Sequence, residues 1–157
     1  MRGRIISVNL SEKRGVSKQP RKEVYLKEGY GVLGDAHAGG WHRQVSLLSW
    51  ESVRRFTLRK KISRKFQPGD FAENITVDVD LSSLKVGDYI KLGENVMIRI
   101  TQIGKRCHKD CSIYRQVGEC LMPREGIFAE VIKGGIVHIG DKIEVIDDKD
   151  RNNYRKR

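Results

Sequence analysis

Residues 86–101 read VGDYIKLGENVMIRIT, and this stretch decides the fold class of the chain. In its second half, the β-branched apolar residues Val96, Ile98 and Ile100 occupy alternate positions, which is typical of a half-buried strand. In its first half, Val86–Leu92 contains a Gly-Asp turn followed by apolar residues at alternate positions, and Ile139–Val145 has the same arrangement. We therefore predict that these segments are strands of one barrel-like sheet, with the alternating apolar side chains in the core.

The rest of the chain adds more strands than helices. Three further strands are predicted in the N-terminal third, at Gly3–Leu10, Glu23–Leu26 and Gln44–Leu48. The polar stretch Ser11–Lys22 predicts a loop, and Ile127–Lys133 fits either a strand or a short helix. Together these segments predict a β-rich α+β domain, built as a partly closed β-barrel with one or two helices.

One helix is predicted after Ser49, which is a favourable N-cap residue, with Glu51 in the first turn. Its apolar face would consist of Val53, Phe56, Leu58 and Ile62. Seven basic residues and no acidic residue lie between positions 54 and 65. This run either contacts nucleic-acid phosphates or covers a solvated helix face. Aromatic residues make up only 7% of the chain, and no nucleic-acid-binding motif accompanies the run, so the solvated face is favoured.

The length and composition indicate one folded domain. With 157 residues, of which 38% are hydrophobic, the chain can bury a core of its own. We assign the domain to residues 1–146 and a polar, disordered C-terminal tail to residues 147–157. No apolar run is long enough to cross a membrane, and the N-terminus lacks the apolar region of a signal peptide. A cytoplasmic protein is therefore expected, and its net charge of +11 favours anionic partners.

Three cysteines lie close together in the second half of the chain. An odd number of cysteines in a cytoplasmic protein favours reduced thiols over disulfides. Cys107 follows the alternating strand, and its basic or titratable neighbours are Lys105, Arg106, His108 and Lys109. Positive charge nearby stabilises a thiolate, which is both a nucleophile and a metal ligand. Cys107 could instead be an inert buried cysteine.

A structural zinc site is a third alternative for the cysteines. Its ligands would be Cys107, His108, Cys111 and Cys120. The spacing of these residues lacks the paired C-x2-C motifs of most structural zinc sites.

Two further segments carry candidate binding residues. Asp35, His37 and Arg43 lie on or beside a glycine-rich loop, where a guanidinium group and backbone amides could bind a phosphate or another oxyanion. Asp35 and His37 could equally cap the backbone groups of a turn. Glu73 and Asn74 lie between a turn and a β-branched pair, and Asn74 could bind the edge of a ligand or close an Asx turn.

Arg124 and Glu125 form the last candidate pair, within the segment Gly118–Ala129. They could serve a binding pocket, or they could pair with each other on the surface. The local sequence does not choose between these two interpretations.

Taken together, these segments resemble the MOSC family, named after the C-terminal domain of molybdenum cofactor sulfurase. The similarity extends over residues 3–146 and follows the order of the family. Its segments after the first strand are Gly34–Gly39, Arg43–Leu48, Gly69–Thr76, Leu84–Asp88, Gly104–His108, Met122–Ala129 and Gly134–Asp141. No single segment is decisive, and the argument depends on their number and order.

The resemblance implies a β-barrel of the MOSC or pyruvate-kinase type and a cysteine that carries sulfur or ligates molybdenum. This role falls on Cys107, because an Arg-Cys pair after a strand resembles the family's cysteine. The residues expected to bind a molybdenum cofactor (molybdopterin) are Asp35, His37, Arg43, Glu73, Asn74, Lys105, His108 and Arg124. Pyridoxal phosphate is not expected in this chain, so a separate cysteine desulfurase would donate the sulfur. A molybdoenzyme or a cofactor-synthesis protein would be the acceptor, and neither a nucleic acid nor a membrane is an expected partner.

Overall fold

The computed structural model describes residues 1–106 and 117–155. Strands outnumber helices by residue count in these ranges, as the sequence predicted. The strands are β1 (Arg2–Leu10), β2 (Gln19–Arg21), β3 (Glu23–Lys27), β4 (Gly31–Val32), β5 (Val45–Ser49), β6 (Ile75–Val77), β7 (Tyr89–Leu92), β8 (Val96–Ile103), β9 (Ile127–Lys133), β10 (Gly135–His138) and β11 (Lys142–Val145). The helices are α1 (Trp50–Arg59), α2 (Met122–Glu125) and α3 (Asp148–Arg155).

The main sheet has the strand order β11-β7-β8-β9-β5-β6-β1-β2, and β11 also pairs with β1. That additional pairing closes a barrel of seven strands within the described ranges, whereas the sequence predicted a partly closed one. The closing register joins Gly3 to Ile143. In β8, Val96, Ile98 and Ile100 are fully buried in the barrel core as predicted, and Met97 between them is buried as well.

Two apolar clusters stabilise the domain. The larger cluster fills the barrel and extends to a second sheet of three strands in the order β10-β3-β4. The smaller cluster lies between α1, α2 and the chain before β6. It contains three aromatic rings in mutual contact, with centroid separations between 4.9 and 6.0 Å, from Phe56, Phe66 and Phe71. Cys120 is buried in the same cluster.

Helix α1 begins where the sequence predicted, because the Ser49 hydroxyl accepts a hydrogen bond from the backbone N–H of Glu51 at 3.2 Å. Val53 and Phe56 are buried as expected. Leu58 does not belong to the apolar face, because its exposure is 78%. The helix ends at Arg59, and Lys61 has a left-handed φ of 51°, so the chain turns away before the predicted face is complete.

The sequence expectations and the structure differ in two other places, and the structure decides one open alternative. The predicted loop Ser11–Lys22 contains strand β2 and the fully buried side chain of Lys18. The segment Ile127–Lys133, which fitted either a strand or a short helix, is strand β9. The segment predicted as a disordered tail contains α3, which is held by a 2.9 Å hydrogen bond from Arg151 to Asp88. The local polarity of this segment favoured an unstructured tail. The residue that holds the helix against the barrel, Asp88, lies far away in the sequence.

No helix within the described ranges is long and apolar enough to cross a lipid bilayer.

Candidate functional site

The centre of the candidate site is the ammonium group of Lys18, whose side chain has no solvent exposure. Its Nζ lies 2.7 Å from Oδ1 of Asp35, which is also fully buried. It lies 3.3 Å from the Ser11 hydroxyl and 3.0 Å from Nδ1 of His37. The three protons of the ammonium group therefore have three acceptors, which offsets part of the cost of burying its charge.

Asp35 accepts hydrogen bonds on both carboxylate oxygens. Besides Lys18, Oδ1 accepts from the backbone N–H of Ser11 at 3.0 Å, and Oδ2 accepts from the backbone N–H of His37 at 3.1 Å. Burial alone would raise the pKa of Asp35, but the hydrogen bonds from Lys18, Ser11 and His37 outweigh burial and lower the pKa below its usual 3.8. Burial lowers the pKa of Lys18 from its usual 10.5, although Asp35 opposes that shift. Asp35 thus caps a turn and also forms a buried ion pair.

His37 is neutral in this environment. Burial and the adjacent charge of Lys18 together lower the pKa of His37 to about 4. Asp35 raises this pKa, but its effect is smaller than that of Lys18. The side chain is 26% exposed, so one edge of the ring reaches solvent. The backbone carbonyl of His37 accepts a 2.7 Å hydrogen bond from Nε1 of Trp41, which connects the ion pair to the next group of residues.

Cationic and aromatic side chains alternate beside His37. The Arg43 guanidinium lies 4.6 Å from the centroid of the Trp41 ring and 5.7 Å from that of Phe128. Lys105 lies 5.9 Å from the centroid of the same Phe128 ring, and Arg14 lies 5.4 Å from the centroid of Trp41. We call these five residues the cationic-aromatic platform. Nε of Arg43 is buried and has no hydrogen-bond partner among the described residues.

Glu73 and Asn74 precede β6, and their side chains have different environments. Oδ1 of Asn74 accepts a 3.0 Å hydrogen bond from the backbone of Ser46, and its Nδ2 donates to the carbonyl of Asn9 at 3.2 Å. Asn74 thus connects β1 to β5. Glu73 is fully buried, and its Oε2 accepts from the hydroxyl of Thr76 at 2.8 Å. Burial raises the pKa of Glu73 to about 7, and when this carboxyl group is ionised its charge favours the protonated form of Lys18.

Arg124 lies apart from these groups. Its side chain is 65% exposed and lies 3.8 Å from Glu119. Glu125 accepts hydrogen bonds from Ser52 and Arg55, so Arg124 and Glu125 do not pair with each other as one interpretation expected. Helix α2 nevertheless helps to place Lys105, whose backbone N–H donates to the carbonyl of Pro123 at 3.1 Å.

The structure brings Asp35, His37, Arg43 and Lys105 into one neighbourhood. Glu73 is close enough to Lys18 to affect its pKa. It places Asn74 in the backbone network and Arg124 on the surface. Cys107, His108 and Cys111 lie outside the described residues, so the thiol chemistry, the roles of the binding residues and the zinc alternative stay predictions. Within the described ranges, no group of three or more His, Cys, Asp or Glu side chains could hold a metal ion.

Sequence reasoning missed Lys18, whose fully buried ammonium group lies at the centre of the site. It lies in a polar run with Lys13, Arg14 and Lys22, and no periodicity distinguishes it from these neighbours. In the structure Lys18 packs against Gly69, which lies far away in the sequence and whose φ of 93° and close approach exclude a side chain. A Cβ at Gly69 would collide with the carbonyl oxygen of Lys18. The backbone N–H of Lys18 also donates to the carbonyl of Gly69 at 2.8 Å.

A closed barrel with a buried ion pair and a cationic-aromatic platform beside β5 defines a small β-barrel domain with a site suited to an anionic ligand. The chain belongs to the MOSC domain family, since the family profile matches residues 34–144. This family is associated with molybdenum cofactor sulfurase-like function.

Solved structures share the fold over nearly the whole chain. The YUAD protein from Bacillus subtilis aligns with a TM-score of 0.77 and 20% identity, covering 92% of this chain and 96% of its own. YiiM from Geobacillus stearothermophilus aligns with a TM-score of 0.70 and 20% identity, covering 92% of this chain and 75% of its own. YiiM from Escherichia coli gives 0.67 and 19%, covering 94% and 70%. The search of curated proteins found no match. At these identities, the likeness supports the fold alone.

Proposed function

We propose that this protein holds a molybdenum cofactor or carries sulfur for it, and that Cys107 is the reactive group. The observation that carries the proposal is the position of Lys105. It lies against Phe128 together with Arg43, and it stands two residues before Cys107 in the chain. Family membership supports the class of cofactor, and the platform supports an anionic ligand beside the cysteine.

The residues present fit such a cofactor on chemical grounds. Molybdopterin carries a phosphate and an oxo-metal group, both of which are anionic. The buried Nε of Arg43, which has no partner among the residues described, is a donor that a phosphate or oxo oxygen can satisfy. Lys105 adds positive charge, and a cysteine thiolate could supply a sulfur ligand to the metal. When bound, the cofactor would supply the redox-active metal.

The protein's own chemistry in sulfur carriage is a thiol exchange. The thiolate of Cys107 attacks the outer sulfur of a persulfide on a donor protein, so one S–S bond forms as another breaks. Cys107 then carries the persulfide, and the donor leaves as a thiolate. Lys105 and Arg106 precede Cys107 in the chain and favour its thiolate form through their positive charge. The proposed donor is a cysteine desulfurase, and the proposed acceptor is a molybdoenzyme or a cofactor-synthesis protein.

The basic run at positions 54–65, which covers the end of α1 and the chain after it, gives less support to nucleic-acid binding. Five of its seven basic side chains form ion pairs with nearby carboxylates, namely Arg54, Arg55, Arg59, Lys60 and Arg64. Glu119 alone receives Arg59 and Lys60, at 3.1 and 2.6 Å. These cations are partly neutralised within the protein, which favours a solvated surface.

The test combines metal analysis with a persulfide assay. Purified protein is analysed for molybdenum and zinc, and cyanide-labile sulfur is measured after incubation with a cysteine desulfurase and cysteine. We expect molybdenum or labile sulfur in the parent protein and in Cys120→Ser, which alters the buried cysteine of the smaller apolar cluster. We expect neither in Cys107→Ser, and alkylation near neutral pH should label Cys107 first. Stoichiometric zinc, with unfolding of both cysteine variants, would contradict the proposal and favour the structural metal site.

A further inference from the structure

A lysine ammonium has three donors and no acceptor, and this fixes the direction of its hydrogen bonds. At the 3.0 Å contact between Lys18 Nζ and His37 Nδ1, the lysine donates and the imidazole accepts. Nδ1 therefore carries no proton, and the single ring proton of neutral His37 is on Nε2. Lys18 itself cannot turn away from His37 freely, because Asp35 and Ser11 hold its other two protons.

The backbone groups of His37 also form hydrogen bonds, as its ring nitrogen Nδ1 does. Its backbone N–H donates to Oδ2 of Asp35, and its carbonyl accepts from Nε1 of Trp41. No described residue accepts a hydrogen bond from Nε2, although the ring is partly exposed. The side chain thus presents one oriented donor beside the cationic-aromatic platform, and the protein supplies no acceptor for it in the part of the chain described.

We propose that Lys18 is a positioning residue, which fixes His37 as the Nε2–H tautomer so that His37 donates to an acceptor oxygen of the bound anionic cofactor. The acceptor is an oxo or phosphate oxygen, because a pterin-linked oxo-metal and its phosphate offer these acceptors together. This inference rests on the proposed function for the identity of the ligand, but the tautomer of His37 does not depend on it.

The charges around His37 keep this donor in place over a wide pH range. Lys18, Arg14 and Lys105 contribute three positive charges, and Asp35 contributes one negative charge. Burial acts in the same direction as the cations, so the ring stays neutral near pH 7. A neutral ring with Lys18 at Nδ1 is a donor at Nε2 only, which selects an oxygen acceptor.

The tautomer is measured by long-range ¹H–¹⁵N correlation spectra of the histidine rings, because protonated and unprotonated ring nitrogens have well-separated ¹⁵N shifts. We expect the parent protein to show a single Nε2–H tautomer of His37 between about pH 5 and pH 8. Lys18→Met alone leaves Asp35 buried without its partner, so the double variant Lys18→Met/Asp35→Asn, which removes both charges, is compared as well. Lys22→Met, at an exposed lysine, is the matched control.

Removing Lys18 should give a mixture of the two tautomers, and Lys22→Met should match the parent. A parent protein with the proton on Nδ1, or folded Lys18 variants that keep a pure Nε2–H tautomer, would overturn the positioning role.

The contact with the cofactor is tested by two substitutions of His37. Glutamine can place an amide N–H near the position of Nε2, whereas asparagine places one near the position of Nδ1. We expect His37→Gln to retain molybdenum within a few-fold of the parent and His37→Asn to retain about tenfold less, as for one lost hydrogen bond to a charged group.

The outcomes separate this inference from the proposed function. If the parent binds neither molybdenum nor sulfur, the proposed function fails, and with it the ligand contact, while the tautomer result stands on its own. If the parent binds molybdenum and both His37 variants match it, the ligand contact is wrong and the proposed function survives.

Discussion

Glu73 is expected to make the protein less stable as the pH rises. Its carboxyl group is fully buried at the start of β6, and Oε1 has no hydrogen-bond partner among the described residues. Burial raises the pKa of Glu73 from 4.5 to about 7, against the opposing effects of the Thr76 hydroxyl and nearby backbone amides. The folded protein therefore keeps this group protonated at pH values where the unfolded chain has already released the proton.

The sign and size of the effect follow from this difference. Below the unfolded pKa of 4.5, both states are protonated, so the stability is fully present. As the pH rises towards the folded pKa of about 7, each pH unit costs about 1.4 kcal/mol of unfolding free energy. The total loss is about 3 kcal/mol, and above the folded pKa it stays constant.

The substitution Glu73→Gln removes the ionisation and keeps the shape of the side chain. Urea denaturation should give nearly equal unfolding free energies for parent and variant near pH 4, and near pH 8 the variant should be more stable by about 3 kcal/mol. Glu28→Gln changes an exposed carboxylate and serves as the control, which should follow the parent throughout. If the profiles of parent and Glu73→Gln stay parallel from pH 4 to pH 8, Glu73 does not hold a proton in the folded protein and the reasoning fails.

Three further predictions concern the core, the platform and the basic helix. Ile98→Ala should lower the unfolding free energy by roughly 2–5 kcal/mol in urea denaturation, because the residue is fully buried in β8, and a smaller loss would contradict its place in the core. Arg43→Ala should weaken binding of a phosphorylated pterin by about tenfold or more in calorimetry with little change in stability, and the reverse pattern would make Arg43 structural. The triple variant Arg54→Glu, Lys61→Glu, Lys65→Glu should retain its sulfur or molybdenum in the loading assays, and lost loading would place α1 and the chain after it at the site or at a partner interface.

The strands of the barrel were predictable because their signals are local. The alternation in β8 places its apolar residues inside the barrel wherever the strand pairs, so Val96, Ile98 and Ile100 are buried as expected. The closure of the barrel was not predictable in this way, since Gly3 pairs with Ile143 at the other end of the domain. A periodic pattern can mark a segment as a strand, but it does not show which distant strand that segment pairs with.

The site was predicted in part, and the reasons differ from residue to residue. Asp35 and His37 were singled out because polar residues on a glycine-rich loop could bind an oxyanion or cap a turn, and both contact the buried ammonium group. Asn74 was singled out for similar reasons, but its side chain hydrogen-bonds the backbone of two strands. Lys18 could not be predicted, because burial of one lysine among several depends on a carboxylate 17 residues away.

The residues of the candidate site converge because of one strand pairing, between β5 and β6, which could not be predicted from the sequence. The pairing of β5 with β6 is parallel, whereas β5 with β9 and β1 with β6 are antiparallel. Both β6 and β9 consequently begin opposite Leu47, at Ile75 and Ile127. The chain before β6 then contacts Ser46 through Asn74, and Phe128 of the platform pairs with the same serine. A parallel pair needs a long connection, which α1 and the chain after it provide. The basic helix is therefore part of the connection that allows the site to form, whether or not its charges contact a ligand.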